Sequence, residues 1–284
     1  MNRSVQILLS SLCLVSASAS AFDLGELKGK VDAAKASIPP VNPKLTEAVK
    51  ELKGPNESEE IAIGRQIAGN LLGAAPLVKD DKLQKYVNRV GRWVATQSER
   101  PDLPWHFGVI QSEDLNAFAA PGGYIFITLG LYRTFQSEAD LAGVLGHEVG
   151  HVIRQHHLKI LQQSKLVDAG SKALSKSVGG NDKVQQIIGS GAEVVARGLD
   201  KDAEFEADRI GVVLASRAGY DAYGLPSVLQ QIGHSAKGDD RVALLFKTHP
   251  LPEDRLNTLD GAMGDRFDRV KGLTLEKRLL KVKK

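Results

Sequence analysis

No stretch of the chain constrains its fold as tightly as Gly143-Val144-Leu145-Gly146-His147-Glu148-Val149-Gly150-His151. On a helix, residues four apart project from one face a turn apart, so His147 and His151 can both reach a single ion while Glu148 points to the rim of that face. Two imidazoles at about 2.0–2.1 Å suit zinc. Glycine costs up to about 1 kcal/mol inside a helix, so three of them on or beside this face call for the close approach of another backbone. The only cysteine is Cys13, which excludes a disulfide framework and any Cys-ligated metal, and leaves His and carboxylates as ligands.

A catalytic zinc takes three protein ligands and keeps one position open. The third is expected from Glu204-Phe205-Glu206-Ala207-Asp208. Glu204, Ala207, Asp208 and Gly211 fall at i, i+3, i+4 and i+7, a stripe of two carboxylates and two small residues that is wrong for apolar packing and right for a helix drawn close to the first. Glu204 then meets the metal and Asp208, a turn later, accepts the free N–H of a ligating histidine. Glu206 lies about 200° away on the helical wheel and should face solvent. His156 and His157 are expected to be exposed, and His106 and His234 to be ordinary surface or strand residues.

Hydrophobic periodicity predicts amphipathic helices from Ser58, over Asp80–Thr96, Ser137–Leu158, Asp202–Ala218 and Pro226–Ser235. Two strands stand out, Pro104–Ile110 and Gly122–Thr128. The uncharged run Leu115–Tyr132 is broken by Pro121-Gly122-Gly123 and reads as a loop feeding the second strand. With 42% hydrophobic residues in 284, the chain can bury a sizeable core. The expected class is α+β, mostly helical with a small sheet. Residues 164–200 are rich in Ser, Gly and Lys and give no clear reading.

The chain divides into a signal peptide at 1–21, a flexible lead-in with short helices at 22–57, a catalytic domain at 58–265 and a basic tail at 266–284. Arg3, the apolar run Val5–Val15 and the small residues Ser16–Ala21 make the signal, too short to span a membrane; Leu12 argues against lipid attachment at Cys13. Location is therefore expected to be extracytoplasmic, with no transmembrane segment after cleavage. Lys271–Lys284 holds six basic residues and one acidic one, read as a solvated tail with weak membrane-surface contact as the alternative. A net charge of +3 gives no nucleic-acid surface.

His147-Glu148-Val149-Gly150-His151, the Glu204…Asp208 pair and Asn116-Ala117-Phe118-Ala119-Ala120-Pro121-Gly122-Gly123 together resemble the M48 family of zinc metallopeptidases, in its soluble periplasmic members, over about Ser58 to Arg255. The resemblance implies a zincin-like domain with the small sheet beside the motif helix, one zinc ion per chain on His147, His151 and Glu204, Glu148 as general base, and a role in envelope protein quality control. Some relatives continue into a helical-repeat domain, which this chain is expected to lack. Thr248-His249-Pro250…Arg255 is similar to a C-terminal His-Pro…Arg motif of the family. His249 could then fill the fourth metal position and hold the enzyme latent, stabilise an oxyanion, or sit in a structural loop, and Arg255 could pair with Asp208 or bind substrate.

The expected chemistry is peptide hydrolysis, with Glu148 taking a proton from a metal-activated water and handing it to the leaving amine. An extended substrate, such as an unfolded envelope protein, would pair with the edge of Gly122–Thr128, making Gly122, Gly123 and Tyr124 substrate-binding residues along with Arg255. Two rivals keep the metal. One is a periplasmic chaperone or assembly factor with little proteolysis, the other a hydrolase of cell-wall amides with a glycan-sized cleft.

Overall fold

The computed structural model describes residues 55–161, 199–235 and 240–282. The signal peptide and most of the lead-in, like nearly all of 164–200, lie outside the described residues.

Helix α1 (Glu57–Ala74) starts where the sequence supplies a reciprocal cap: the Asn56 side chain accepts from the Glu59 amide, and the Glu59 carboxylate accepts from the Asn56 amide. Helix α2 (Asp81–Ala95) is capped by Asp80 and buries the expected stripe Leu83, Val87, Val90 and Val94. Three strands follow, β1 (His106–Ile110), β2 (Ala117–Ala120) and β3 (Tyr124–Thr128). Their order is β1-β3-β2, with β1 parallel and β2 antiparallel to β3. The expected edge strand is therefore the central one. The edge beside the motif helix belongs to β2, which the sequence analysis reads as loop.

A short helix, α3 (Leu129–Thr134), leads to α4 (Glu138–Ile153), the motif helix. Ser137 and Asp140 form its capping box, and every residue from Glu138 to Val152 is buried. A helix with apolar and polar groups alike buried all round belongs at the centre of a domain. Helix α4 indeed packs against α2, β2, α5 (Lys201–Arg217) and α6 (Gly224–Ser235), most extensively against α5. Helix α7 (Ala243–Thr248) and α8 (Pro252–Met263) complete the order, α8 opening with the proline that suits a first helical turn. No helix among the described residues is long and apolar enough to cross a membrane.

The segment expected to be a solvated tail is built into the domain. Leu273 bridges Tyr220 through paired backbone hydrogen bonds to Gly219 and Asp221, and the Ala139 amide, unsatisfied within the first turn of α4, donates to the Thr274 carbonyl at 3.1 Å. Leu279 is core, Leu275, Leu280 and Val282 pack on it, and Tyr132 donates to the Leu280 carbonyl at 2.6 Å. Arg278 reaches the fully buried Glu138 at 2.9 Å, where the hydroxyls of Tyr86 and Tyr220 also donate at 2.8 and 2.9 Å. Burial first, then that carboxylate, push both tyrosines well above their ordinary range and keep them as donors.

Candidate active site

The glycines of α4 do what their cost implies. A Cβ added at Gly146 would lie 2.8 Å from the Gly211 carbonyl oxygen of α5, and one at Gly211 would lie 2.7 Å from the His147 nitrogen. Gly150 faces Ala207 in the same way, a Cβ there falling 3.2 Å from the Ala207 Cα. The small stripe of α5 and the glycine stripe of α4 thus let two backbones touch, and Glu204 and Asp208 are carried to the histidines.

One ligand atom from each of His147, His151, Glu204 and His249 falls within 4.8 Å of the others, the first three side chains fully buried. The two Nε2 atoms are 3.0 Å apart, Glu204 Oε2 is 3.7 Å from His147 Nε2, and Glu204 Oε1 is 3.5 Å from His151 Nε2. His147 Nδ1 lies 2.8 Å from Asp208 Oδ1. A carboxylate only accepts, so Nδ1 carries a proton, and in the neutral imidazole Nε2 presents a lone pair to the other ring. Among the described residues, Glu204 Oε1 has no hydrogen-bond partner. A lone pair and an unsatisfied carboxylate oxygen converging in a dry interior repel one another unless a cation sits between them. Two imidazole nitrogens and a carboxylate oxygen are a donor set that fits zinc.

The surroundings hold this group in place. Asp208 is clamped by Arg255, Nε to Oδ2 at 2.9 Å and Nη2 to Oδ1 at 2.5 Å, all of it buried. Burial alone would raise the Asp208 carboxyl, but Arg255 and then His147 bring it far below the usual range. Of the two roles open to Arg255 in the sequence, the structure supplies the pairing with Asp208. His147 is raised: burial and Arg255 oppose its protonation, and Asp208 and Glu204 outweigh them. Glu148 is buried beside the group and its carboxyl is pushed up, chiefly by loss of solvent. It lines a cavity of about 10 Å³ with β2 residues Ala117, Phe118 and Ala119 and with His151, His157, Glu204, Thr248 and His249. His249, on the extended residue that caps α7, puts Nδ1 2.6 Å from Glu204 Oε2.

Several expected placements are corrected. Gly122 and Gly123, both with positive φ, form the turn into β3, where a Cβ on Gly122 would strike the Ile61 backbone and one on Gly123 would crowd Trp105. Tyr124 stacks on His106 of β1 and touches Arg65. The turn is occupied by the protein itself, through the Gly122 amide, which donates to the buried Glu60, also held by Arg100 and Gln155. His156 and His157 are buried, because Gln155 at φ 56 breaks the helix and the resumed helix over 156–161 turns both rings inward. His156 Nδ1 is 2.9 Å from His151 Nδ1, and the His157 ring centre is 5.6 Å from that of His151. Glu206 is part-exposed, as its wheel position suggests, yet paired with Arg154 at 3.0 Å and His156 at 3.3 Å. His234 is exposed. Glu60, His156 and His157 are the residues of the site region that sequence reasoning missed. For the last two the available signal was three histidines within seven positions of a buried helix.

Comparison with known proteins agrees with this geometry. The chain is 29% identical over 206 residues to the beta-barrel assembly-enhancing protease of Escherichia coli (strain K12), covering 70% of this chain and 42% of that protein. It is 28% identical over 184 residues to the mitochondrial metalloendopeptidase OMA1 of Arabidopsis thaliana, 64% of this chain and 36% of that one, and 27% identical over 176 residues to its Schizosaccharomyces pombe namesake, 62% and 51%. The chain thus spans about half or less of the length of these relatives. Residues 81–263 match the model of peptidase family M48. That span holds the glycine-packed helices, Glu148, all four side chains that could hold a metal and the Asp208–Arg255 clamp, and the chain belongs to peptidase family M48.

Proposed function

We propose that the protein is a zinc-dependent endopeptidase of extended or misfolded envelope proteins, acting in the periplasm in protein quality control and latent at rest. The observation that carries the reading is the convergence of His147, His151 and Glu204 around one point with the desolvated Glu148 beside it. His147, His151 and Glu204 would hold a zinc ion, one per chain, which would supply Lewis acidity toward a scissile carbonyl and a neighbouring water. Glu148, its proton affinity raised by burial, accepts the proton of the attacking water on its carboxylate and delivers it to the leaving amine. His147 is kept in one tautomer by Asp208, which Arg255 fixes in turn.

The outer edge of β2 supports backbone pairing by an extended peptide, with Ala117–Ala119 lining the same cavity as Glu148. Such pairing tolerates many sequences, which suits unfolded clients. The name of the E. coli relative, an assembly-enhancing protease, supports the envelope setting. Latency rests on His249, which closes the cavity from one side and bonds to Glu204. That same closed site is the observation that favours the second reading, a zinc-containing assembly factor with little proteolysis.

Casein digestion by the purified protein, with zinc and with chelator, beside Glu148→Gln, is the test. Cleavage that needs zinc and vanishes in Glu148→Gln, with metal content unchanged, is the expected result. Zinc binding without cleavage would favour the assembly factor.

A further inference from the structure

The two histidines of the motif are supported differently. His147 has a carboxylate directly on Nδ1; among the described residues the His151 Nδ1 has none on it and instead faces the Nδ1 of His156 at 2.9 Å. On its far side His156 presents Nε2 to Glu206 Oε2 at 3.3 Å, while the other oxygen of Glu206 forms an ion pair with Arg154, 3.0 Å from its Nε.

The proton positions in this chain follow from donor and acceptor counting. Glu206 is an acceptor, so His156 carries its proton on Nε2. A neutral imidazole has one N–H, which leaves a lone pair on His156 Nδ1. His151 must then donate from Nδ1, and its own Nε2 is left as a lone pair aimed at Glu204 and His147. The opposite arrangement, with His156 donating from Nδ1, would place a proton on His151 Nε2 inside the metal-facing group and abolish it as a ligand. We propose that His156 is a positioning residue: backed by Glu206, it fixes His151 in the metal-binding tautomer through an imidazole relay where His147 uses a carboxylate. The relay exists because Gln155 interrupts the helix at φ 56, which swings the ring of His156 back over His151.

This inference rests on the reading of His147, His151 and Glu204 as metal ligands, and the experiment separates the two. Zinc affinity is measured by competition with a chelating indicator, and the visible spectrum of the cobalt-substituted protein is recorded, for the wild type, His156→Ala, His156→Asn and Glu206→Ala. Replacing the partner of a ligating histidine weakens metal binding about 10–100-fold, and this is expected for His156→Ala, together with altered cobalt bands. The Asn side chain can place an acceptor near the lost Nδ1, so His156→Asn should recover most of the affinity. Glu206→Ala, at a part-exposed position that leaves the core intact, should move affinity and cobalt bands in the same direction by a smaller factor. A purely structural His156 would lower thermal stability but leave the spectrum of the bound ion unchanged. Wild-type affinity and spectrum in His156→Ala, or in Glu206→Ala should His156→Ala fail to fold, would overturn the relay. Absence of stoichiometric metal in the wild type would instead overturn the ligand assignment itself.

Discussion

Three of the four metal-facing side chains stand on a contact between two helix backbones, and the fourth hangs from the end of a six-residue helix. Between α4 and α5 there is no room for a methyl group at Gly146 or Gly211. Asp208 of α5 is locked by the buried Arg255 fork, and Glu204 is buried beside the histidines, 3.7 and 3.5 Å from their Nε2 atoms. His249 reaches the same point on extended backbone, through one side-chain hydrogen bond to Glu204, and the next residues run through Pro250 and the exposed Leu251 before α8 begins. The groups on α4 and α5 are built into close-packed backbone, whereas His249 stands on extended chain with that one side-chain hydrogen bond. Arg255 sits on α8 but belongs energetically to the first region, so it bounds how much of the 249–255 stretch can move.

The sharpest way to break this arrangement is to remove Arg255. Arg255→Ala leaves Asp208 buried with one cation fewer, and breaking a buried pair in this manner costs about 3–5 kcal/mol. Urea unfolding should show a loss of that size along with weaker zinc binding. A loss below about 1 kcal/mol would mean that Asp208 is held by His147 alone.

Next in size is the backbone contact. Gly211→Ala puts a methyl 2.7 Å from the His147 nitrogen, and forcing atoms into a packed interior costs about 1–3 kcal/mol. Since the strain falls on the residue that carries a ligand, zinc affinity should drop with stability. Gly69→Ala is the control: on α1, nothing lies within 4 Å of the added Cβ, and replacing a helical glycine there should stabilise by about 0.5–1 kcal/mol.

His249→Ala probes the loosely held region. Thermal stability of the zinc-loaded protein should change little, while casein cleavage should rise as the inhibitory contact is lost. A histidine that stabilises an oxyanion would instead lower kcat by about 10²–10³-fold on removal, and a rate equal to wild type would leave only a structural loop.

The close-packed region was legible in the sequence because its constraints are local. Ligand spacing, three costly glycines and the stripe Glu204, Ala207, Asp208, Gly211 each follow from helical period alone, and the two helices could be brought together without a template. What stayed hidden depends on tertiary partners. Strand β2 is Ala-Phe-Ala-Ala, too short and too little alternating to announce itself, and only its pairing makes it the edge beside the metal group. The apolar residues of the C-terminal stretch are interleaved with lysines, so its charge masked its docking. His156 and His157 turned inward because a glutamine takes a left-handed conformation that nothing in its neighbours requires.

That last correction is tested by titration. His157 is buried against the cavity, and loss of solvent pushes its imidazole down to about 4. In the unfolded chain it titrates near 6.5. Between those two values the unfolded state binds a proton that the folded state refuses, so the His157 contribution to stability is complete above about pH 6.5 and is lost as the pH falls toward 4. His157→Gln removes the titration but keeps a polar side chain. With chelator present throughout, the melting temperature of the wild type should fall relative to that of His157→Gln on going from pH 7.5 to pH 4.5. Parallel curves would show that His157 is protonated as readily in the folded chain as in the unfolded one, and would return it to the surface where its sequence position first placed it.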